Sequence, residues 1–264
     1  MTLFSLTGRV ALISGAASGM GRAAALALAE HGANLMLADR NASGLDQTVA
    51  DIEALGRRAV AVTCDISDPI QIEEMFRRLD VEYGKIDFLG NIAGEGFLAT
   101  PEDISPEQVQ GVFQNLVFGR LCMCQEAGRR MLAAGSGSIV NVGSLASTTA
   151  LGRGHIAYSM AMGAVVQMTR ELSTEWARRG VRTNAILPAQ VVNPNLKQRM
   201  DLDPQLEQQW LRGVPRGRLG QPNDIAGLIV LLASDASDWI TGALIPMDGG
   251  NLAMNAGGTI GVNE

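Results

Sequence analysis

Gly15, Gly19 and Gly21 fall in the run Ser14-Gly15-Ala16-Ala17-Ser18-Gly19-Met20-Gly21, directly after the short apolar segment 9–14. Glycines at these positions permit a tight turn and let the backbone come close to an anion. A helix beginning in the same run adds free N–H groups and the positive end of its dipole, a cradle for a pyrophosphate. Standing between a strand and a helix, the pattern points to a dinucleotide. Asp39 closes the next apolar segment, and a carboxylate there can accept both ribose hydroxyl protons and repel a 2′-phosphate. That favours NAD over NADP, although the neighbouring Arg40 could pair with such a phosphate. A second kind of chemistry, proton transfer near neutral pH, suits His155, which otherwise reads as a solvated or capping residue. Cys64, Cys122 and Cys124 lack metal-type spacing. They read as packing residues in a reducing cytoplasm, and no metal site is expected.

Such groups need a scaffold. Apolar runs at 9–14, 34–38, 59–63, 86–90, 137–142, 181–187 and 243–247 read as strands. Helical patterns at about 20–30, 43–55, 69–83, 106–134, 158–179 and 222–233 alternate with them, several closed by glycine. Alternation of this kind predicts a mostly parallel sheet covered on both faces. Right-handed crossovers make it doubly wound, with ligands outside the carboxyl ends of the strands. No repeat or linker divides residues 1–264, so one domain is expected. The stretch 188–220 is polar, and the tail 251–264 is rich in Gly and Asn.

Composition narrows the function classes. With 47% apolar and 18% charged residues, the chain is neither disordered nor fibrous. A net charge of −6 argues against nucleic acid. No apolar run reaches the roughly 18 residues of a membrane span, and the N-terminus lacks the pattern of a signal peptide. A cytoplasmic protein with a small-molecule partner is the expectation. Of 21 basic residues only Lys85 and Lys197 are lysine. The arginines, including the pairs at 57–58, 77–78, 129–130 and 178–179, read as solvated surface.

Further landmarks follow the strands in order. Asp65 follows the third and Asn91-Ile92-Ala93-Gly94 the fourth. Ser144 follows the fifth, with Tyr158 beyond it. Pro188 follows the sixth, and Asp248-Gly249-Gly250 closes the series. Together with Gly15-x-x-x-Gly19-x-Gly21, this set resembles the short-chain dehydrogenase/reductase family over residues 6–250. The resemblance implies an α/β, single-domain Rossmann-type fold, doubly wound, with a mostly parallel seven-stranded sheet and helices on both faces. It also implies a homotetramer and an NAD(H)-linked exchange between a secondary alcohol and a ketone. By the same resemblance Gly15, Ser18, Gly19, Met20 and Gly21 hold the phosphates, Asp39 the ribose with Arg40 beside it at the cofactor, and Asp65 and Ile66 the adenine. Asn91, Ala93 and Gly94 line the cofactor, and Pro188, Val191 and Asn193 hold its nicotinamide end. Asn115 organises a proton-relay water, Ser144 binds the substrate oxygen, and Tyr158 is the acid/base. Residues 188–220 become a substrate lid carrying Lys197, Arg199, Arg212, Arg216 and Arg218. Its Leu196, Met200, Leu202, Leu206, Trp210 and Leu211 fit one apolar face. Met123, Met131, Met160, Met162 and Met168 fall on two long helices that pack between subunits in the family, so core and interface packing are both open.

The family pairs its tyrosine with a lysine four residues on, which lies on the same helix face and assists a phenol that alone is too weak an acid at pH 7. Here that position is Met162, a thioether with no charge and no proton to donate. Milder departures are Ile92, Ala189 and Asn193. Three readings follow. The lysine was replaced in an ordinary dehydrogenase; the protein uses another proton route through His155, Lys197 or Arg199; or it binds the cofactor for a sensing, scaffold or non-redox (lyase or epimerase) role.

Overall fold

Seven short runs rich in Val, Ile, Leu and Ala pair edge to edge. They are β1 (Val10–Ser14), β2 (Asn34–Asp39), β3 (Ala59–Thr63), β4 (Phe88–Asn91), β5 (Gly137–Val142), β6 (Val181–Pro188) and β7 (Leu244–Met247). The computed structural model describes residues 3–255 and 260. The sheet order is β3-β2-β1-β4-β5-β6-β7 and every pairing is parallel. Strand order reverses between β1 and β4, which opens a crevice at their carboxyl ends.

Crossover helices cover both faces. On one lie α1 (Gly19–Glu30), α2 (Ala42–Ala54) and α9 (Ala226–Ala233), packed on Ile13, Leu35, Leu37 and Val140. The small residues Ala23, Ala24, Ala27 and Gly21 let α1 press closely onto the sheet. On the other lie α3 (Pro69–Tyr83), α5 (Gly119–Ala134) and α6 (Ile156–Trp176), packed on Leu12, Met36, Leu89 and Ile139. Each fully buried leucine, isoleucine or phenylalanine contributes about 1.5–3 kcal/mol. Local signals set the ends: Asp68 accepts from Ile70 N–H ahead of Pro69, and Gly84 closes α3 in the left-handed conformation.

The expected helix over 106–134 is interrupted. It comprises α4 (Pro106–Phe113), a π-turn at Gln114–Phe118 and α5, with Gly119 N–H donating to Gln114 O. A π-turn holds one surplus residue and is common at functional sites. Gly119 lies so close to β3's following loop that a Cβ would stand 1.9 Å from Ile66 O. The sixth helix begins at Ile156 rather than 158, and its final turn, Ala177–Arg179, tightens to 3-10 geometry before Gly180. The 188–220 stretch folds into α7 (Pro194–Leu202) and α8 (Leu206–Leu211), broken near Pro204.

Several side-chain expectations need correction. Arg120 is 3% exposed, so not all arginines are surface. Arg182 is half-buried and donates to Leu232 O and Ser234 O behind α9. Leu202 is 80% exposed and leaves the apolar face assigned to the lid, whereas Trp210 is buried. Met123, Met131 and Met162 pack inside the subunit, and Met160 is exposed. Cys64 and Cys124 are buried, and burial pushes their thiols up to about 11 and about 12. The start of the tail is tied down, with Asn251 donating to Gly213 O and Leu252 N–H to Asp248. Residues 256–259 and 261–264 of that tail lie outside the described residues. Among the described residues no helix is long and apolar enough to cross a membrane, and no three His, Cys, Asp or Glu side chains group as a metal site.

Candidate active site

The glycine turn stands at the carboxyl end of β1. Gly15 has φ +74° and backs onto Ala93, where a Cβ would come 3.0 Å from its nitrogen. Gly21 packs on the turn itself, since a Cβ there would lie 1.9 Å from Gly15 O. Thr48 of α2 steadies the turn by donating to Ala16 O at 3.0 Å. The first turn of α1 carries no acidic residue, Ser18 is exposed without capping the helix, and the space at Gly19 is open. A bare helix N-terminus facing open room fits an anionic pyrophosphate. Met20 is half-buried and packs against the core.

Asp39 ends β2. It accepts from Ala17 N–H at 3.2 Å and Asn41 N–H at 3.0 Å. A carboxylate has about four acceptor positions, so capacity remains for ribose hydroxyls. Arg40 pairs with Glu95 at 2.6 Å across the crevice, and that hydrogen bond raises its pKa above the usual value. Asp65 accepts from the Ser67 N–H and hydroxyl, which hold it below the usual carboxylate range, with Ile66 buried beside it.

At the other end of the crevice, Ser14 is a residue the sequence pattern did not single out. Its buried hydroxyl accepts from Ile92 N–H at 3.0 Å and Ala93 N–H at 3.2 Å, tying β1 to the loop after β4. Asn91 is 1% exposed and its amide is committed inward, to Asn141 at 2.9 Å and the Cys124 sulfur at 3.3 Å. Those bonds use its Nδ2, and its buried Oδ1 has no partner among the described residues. Gly94 (φ +153°) passes so close to the π-turn and α5 that a Cβ would meet Leu116, Arg120 and the Asn115 oxygen. Asn115 accepts from Glu95 N–H at 2.9 Å, so its carbonyl oxygen holds this loop. Glu95, Gly96, Asn115, Gln108 and Val112 also line a cavity of about 380 Å3.

Ser144 follows β5, 8% exposed, and its hydroxyl accepts from Ala146 N–H at 3.1 Å. Tyr158 sits near the start of α6 with its ring against Gly96, where a Cβ would come 2.7 Å from Cδ2. Its hydroxyl has no hydrogen-bond partner among the described residues. His155 stands edge-on to that ring at 6.1 Å between centroids. Its Nδ1 lies 2.8 Å from Gly152 O, where it is the donor. Met162, one turn beyond Tyr158, is 1% exposed in an apolar cluster with Leu116, Ala146, Ala161 and Val165. Pro188 pairs with Met247, Val191 bridges to Gly220, and Asn193 caps α7 by accepting from Leu196 N–H at 2.8 Å. No hydrogen bond or ion pair among the described residues links Lys197 or Arg199 to Tyr158.

Residues 15–251 match a family model described as enoyl-(acyl carrier protein) reductase. A D-threitol dehydrogenase from Mycolicibacterium smegmatis is 38% identical over 247 residues, 94% of either chain. The chain belongs to the short-chain dehydrogenase/reductase family. Within that family it is also similar to an NAD-dependent glycerol dehydrogenase from Listeria innocua, 35% identical over 249 residues, which are 94% of this chain and 95% of that one. A gluconate 5-dehydrogenase from Burkholderia cenocepacia, solved with NADP and tartrate, has a TM-score of 0.90 at 29% identity, covering 96% of this chain and 98% of that one.

Proposed function

We propose that this short-chain dehydrogenase/reductase is an NAD(H)-linked oxidoreductase. It interconverts a secondary hydroxyl and a ketone on a small polyol or sugar-derived acid. The observation that carries the reading is Tyr158. Its phenol has no hydrogen-bond partner among the described residues, and its ring lies on Gly96, five residues past the end of β4 in the loop held by Asn115, which supports the reading.

The residues divide the work. The N–H groups around Gly15, Ser18, Gly19 and Met20 would hold the pyrophosphate, Asp39 the adenosine ribose, and Asp65 and Ile66 the adenine. Ala93, Gly94, Pro188, Val191 and Asn193 would line the nicotinamide end. A nicotinamide bound there would supply the two-electron chemistry, as acceptor or donor of a hydride at the substrate carbon. As the substrate hydroxyl is oxidised, its proton passes to the Tyr158 oxygen, and Ser144 donates to the oxygen that becomes the carbonyl. Asn115 holds the Glu95 backbone in place beside them.

Residues 188–220 would serve as the substrate lid. Arg153 and Arg199 each stand 5.9 Å from the Trp210 ring, and neither has a carboxylate partner among the described residues. Two such guanidiniums favour polyhydroxy acids over simple alcohols. The relatives support the class, being named for threitol, glycerol and gluconate.

The test is nicotinamide absorbance with NAD and NADP against a panel of polyols and aldonates. Absence of turnover throughout the panel counts against the reading. Asp39→Ser should raise the NADP-to-NAD ratio of kcat/KM by about tenfold or more, roughly 1.4 kcal/mol; an unchanged ratio removes Asp39 from cofactor choice. Met162 keeps a second reading in view, a cofactor-bound sensor, scaffold, lyase or epimerase. It predicts NADH binding by fluorescence without net change in NADH during any substrate conversion. A homotetramer is part of the proposal, with Phe118, Met160 and Trp239 presenting exposed apolar surface. Sedimentation should give about four protomers, and a stable monomer would contradict it.

A further inference from the structure

We propose that Arg120 is the electrostatic partner of Tyr158, supplying from α5 the positive charge that Met162 does not supply from α6. The proposal rests on the reading of Tyr158 as the proton-handling residue.

Arg120 is the second residue after the π-turn. It is 3% exposed, and no carboxylate pairs with it among the described residues. Its guanidinium donates to Val142 O and, at 2.9 Å, to Ala93 O. Val142 is the last residue of β5, two before Ser144, and Ala93 lies two past the end of β4, next to Gly94. The guanidinium's third nitrogen, Nε, is buried without a partner among the described residues. A buried, unpaired cation is costly, and two carbonyls offset only part of that cost. Such a charge is seldom kept for packing alone.

One loop brings Arg120 and Tyr158 together. A Cβ on Gly94 would stand 3.0 Å from an Arg120 terminal nitrogen and 3.5 Å from the Asn115 oxygen. Two residues on, a Cβ on Gly96 would meet the Tyr158 ring. The chain from 94 to 96 is thus a thin partition with the guanidinium at one end and the near edge of the Tyr158 ring, Cβ, Cγ and Cδ2, at the other. Burial pushes Arg120 down to about 10, and the charge of Tyr158, then that of Cys124, opposes the fall. The guanidinium therefore stays protonated at neutral pH. A buried cation held this close attracts negative charge on a phenol oxygen more strongly than it attracts a neutral hydroxyl.

Other charged groups do not take this place. His155 lies on the tyrosine's own helix with Nδ1 committed to Gly152. Glu95, on the intervening loop, is paired with Arg40. The π-turn and the segment 144–147 bring no charged side chain. Met162 contributes only apolar packing.

The chain holds two tyrosines, Tyr83 and Tyr158, so Tyr83→Phe leaves Tyr158 as the only phenol. In that background the ultraviolet absorbance of the phenolate reports Tyr158 directly, without cofactor or substrate. Arg120→Gln keeps a donor and removes the charge, and should raise the ionisation midpoint by about one pH unit or more. Arg120→Lys should hold it within about half a unit. The alkaline shift should reappear in the pH profile of kcat/KM for Arg120→Gln and be rescued in Arg120→Lys. A lowered unfolding temperature with an unmoved midpoint would mean a purely structural arginine and overturn the proposal. A moved midpoint supports it even without turnover of any substrate, which would instead count against the oxidoreductase reading. If Arg120→Gln does not fold, Met162→Lys decides. With a cation already present the midpoint should fall by less than about one unit, and a larger fall would show that the phenol lacked one.

Discussion

Tyr158→Phe will lower kcat about a thousandfold with either nucleotide, within the usual contribution of a positioned acid/base group. The prediction separates chemistry from packing because only the hydroxyl is lost. The ring contact with Gly96 and the edge-on contact with His155 stay. The hydroxyl has no partner among the described residues, so the unfolding temperature should not fall. Steady-state kinetics and thermal unfolding on one preparation give both numbers. Retention of a tenth or more of kcat would move proton transfer elsewhere, with His155 the first group to examine.

Gly21→Ala will damage both stability and nucleotide binding. The added methyl would lie 1.9 Å from Gly15 O and 2.4 Å from Gly15 C, both backbone atoms with no rotamer to yield. Either the turn after β1 or the start of α1 must move. The expected cost is about 2–4 kcal/mol of stability, in the range of strong core overpacking. NADH affinity should fall about a hundredfold, because the N–H groups proposed to hold the pyrophosphate lie on those same residues. Gly19→Ala is the control. Space there is open, but φ is +53°, so the penalty is conformational only, about 1–2 kcal/mol. Equal damage from the two substitutions, by denaturant titration and fluorescence binding, would mean that close approach at Gly21 is not what the site depends on.

Much of this architecture was legible because its signals are local. Each strand is a short apolar run beside a glycine or capping signal, and the parallel sheet follows from the alternation. Spacing and family motifs single out the glycine turn, Asp39, Ser144 and Tyr158, and the structure sets them after β1, at the end of β2, after β5 and near the start of α6. The π-turn was not legible, because residues 106–134 carry unbroken helical periodicity and the surplus residue shows only against its neighbours in space. Asn91 was expected along the cofactor, yet its amide is drawn inward by Asn141 and Cys124, partners 50 and 33 residues away. Arg120 did leave a trace. With Met123, Cys124, Ala127 and Met131 it falls on the buried stripe of α5, a cation where the helical pattern requires an apolar residue. Reading the arginines as a compositional preference hid that one misplaced charge.

The π-turn also divides the long helix into parts with separate constraints on length. Removing one residue from an ordinary α-helix rotates everything beyond it by about 100°. In α5 that rotation would swing Met123, Ala127 and Met131 off α3 and the sheet. Inside 114–118 the helix already holds a residue more than an α-turn needs, so a single deletion there would restore the i to i−4 ladder and leave both flanking faces in phase. The helix is indifferent to that residue's loss, but the loop held by Asn115 is not. Along this one rod, the place most forgiving of a change in chain length is the place where the catalytic crevice is least forgiving.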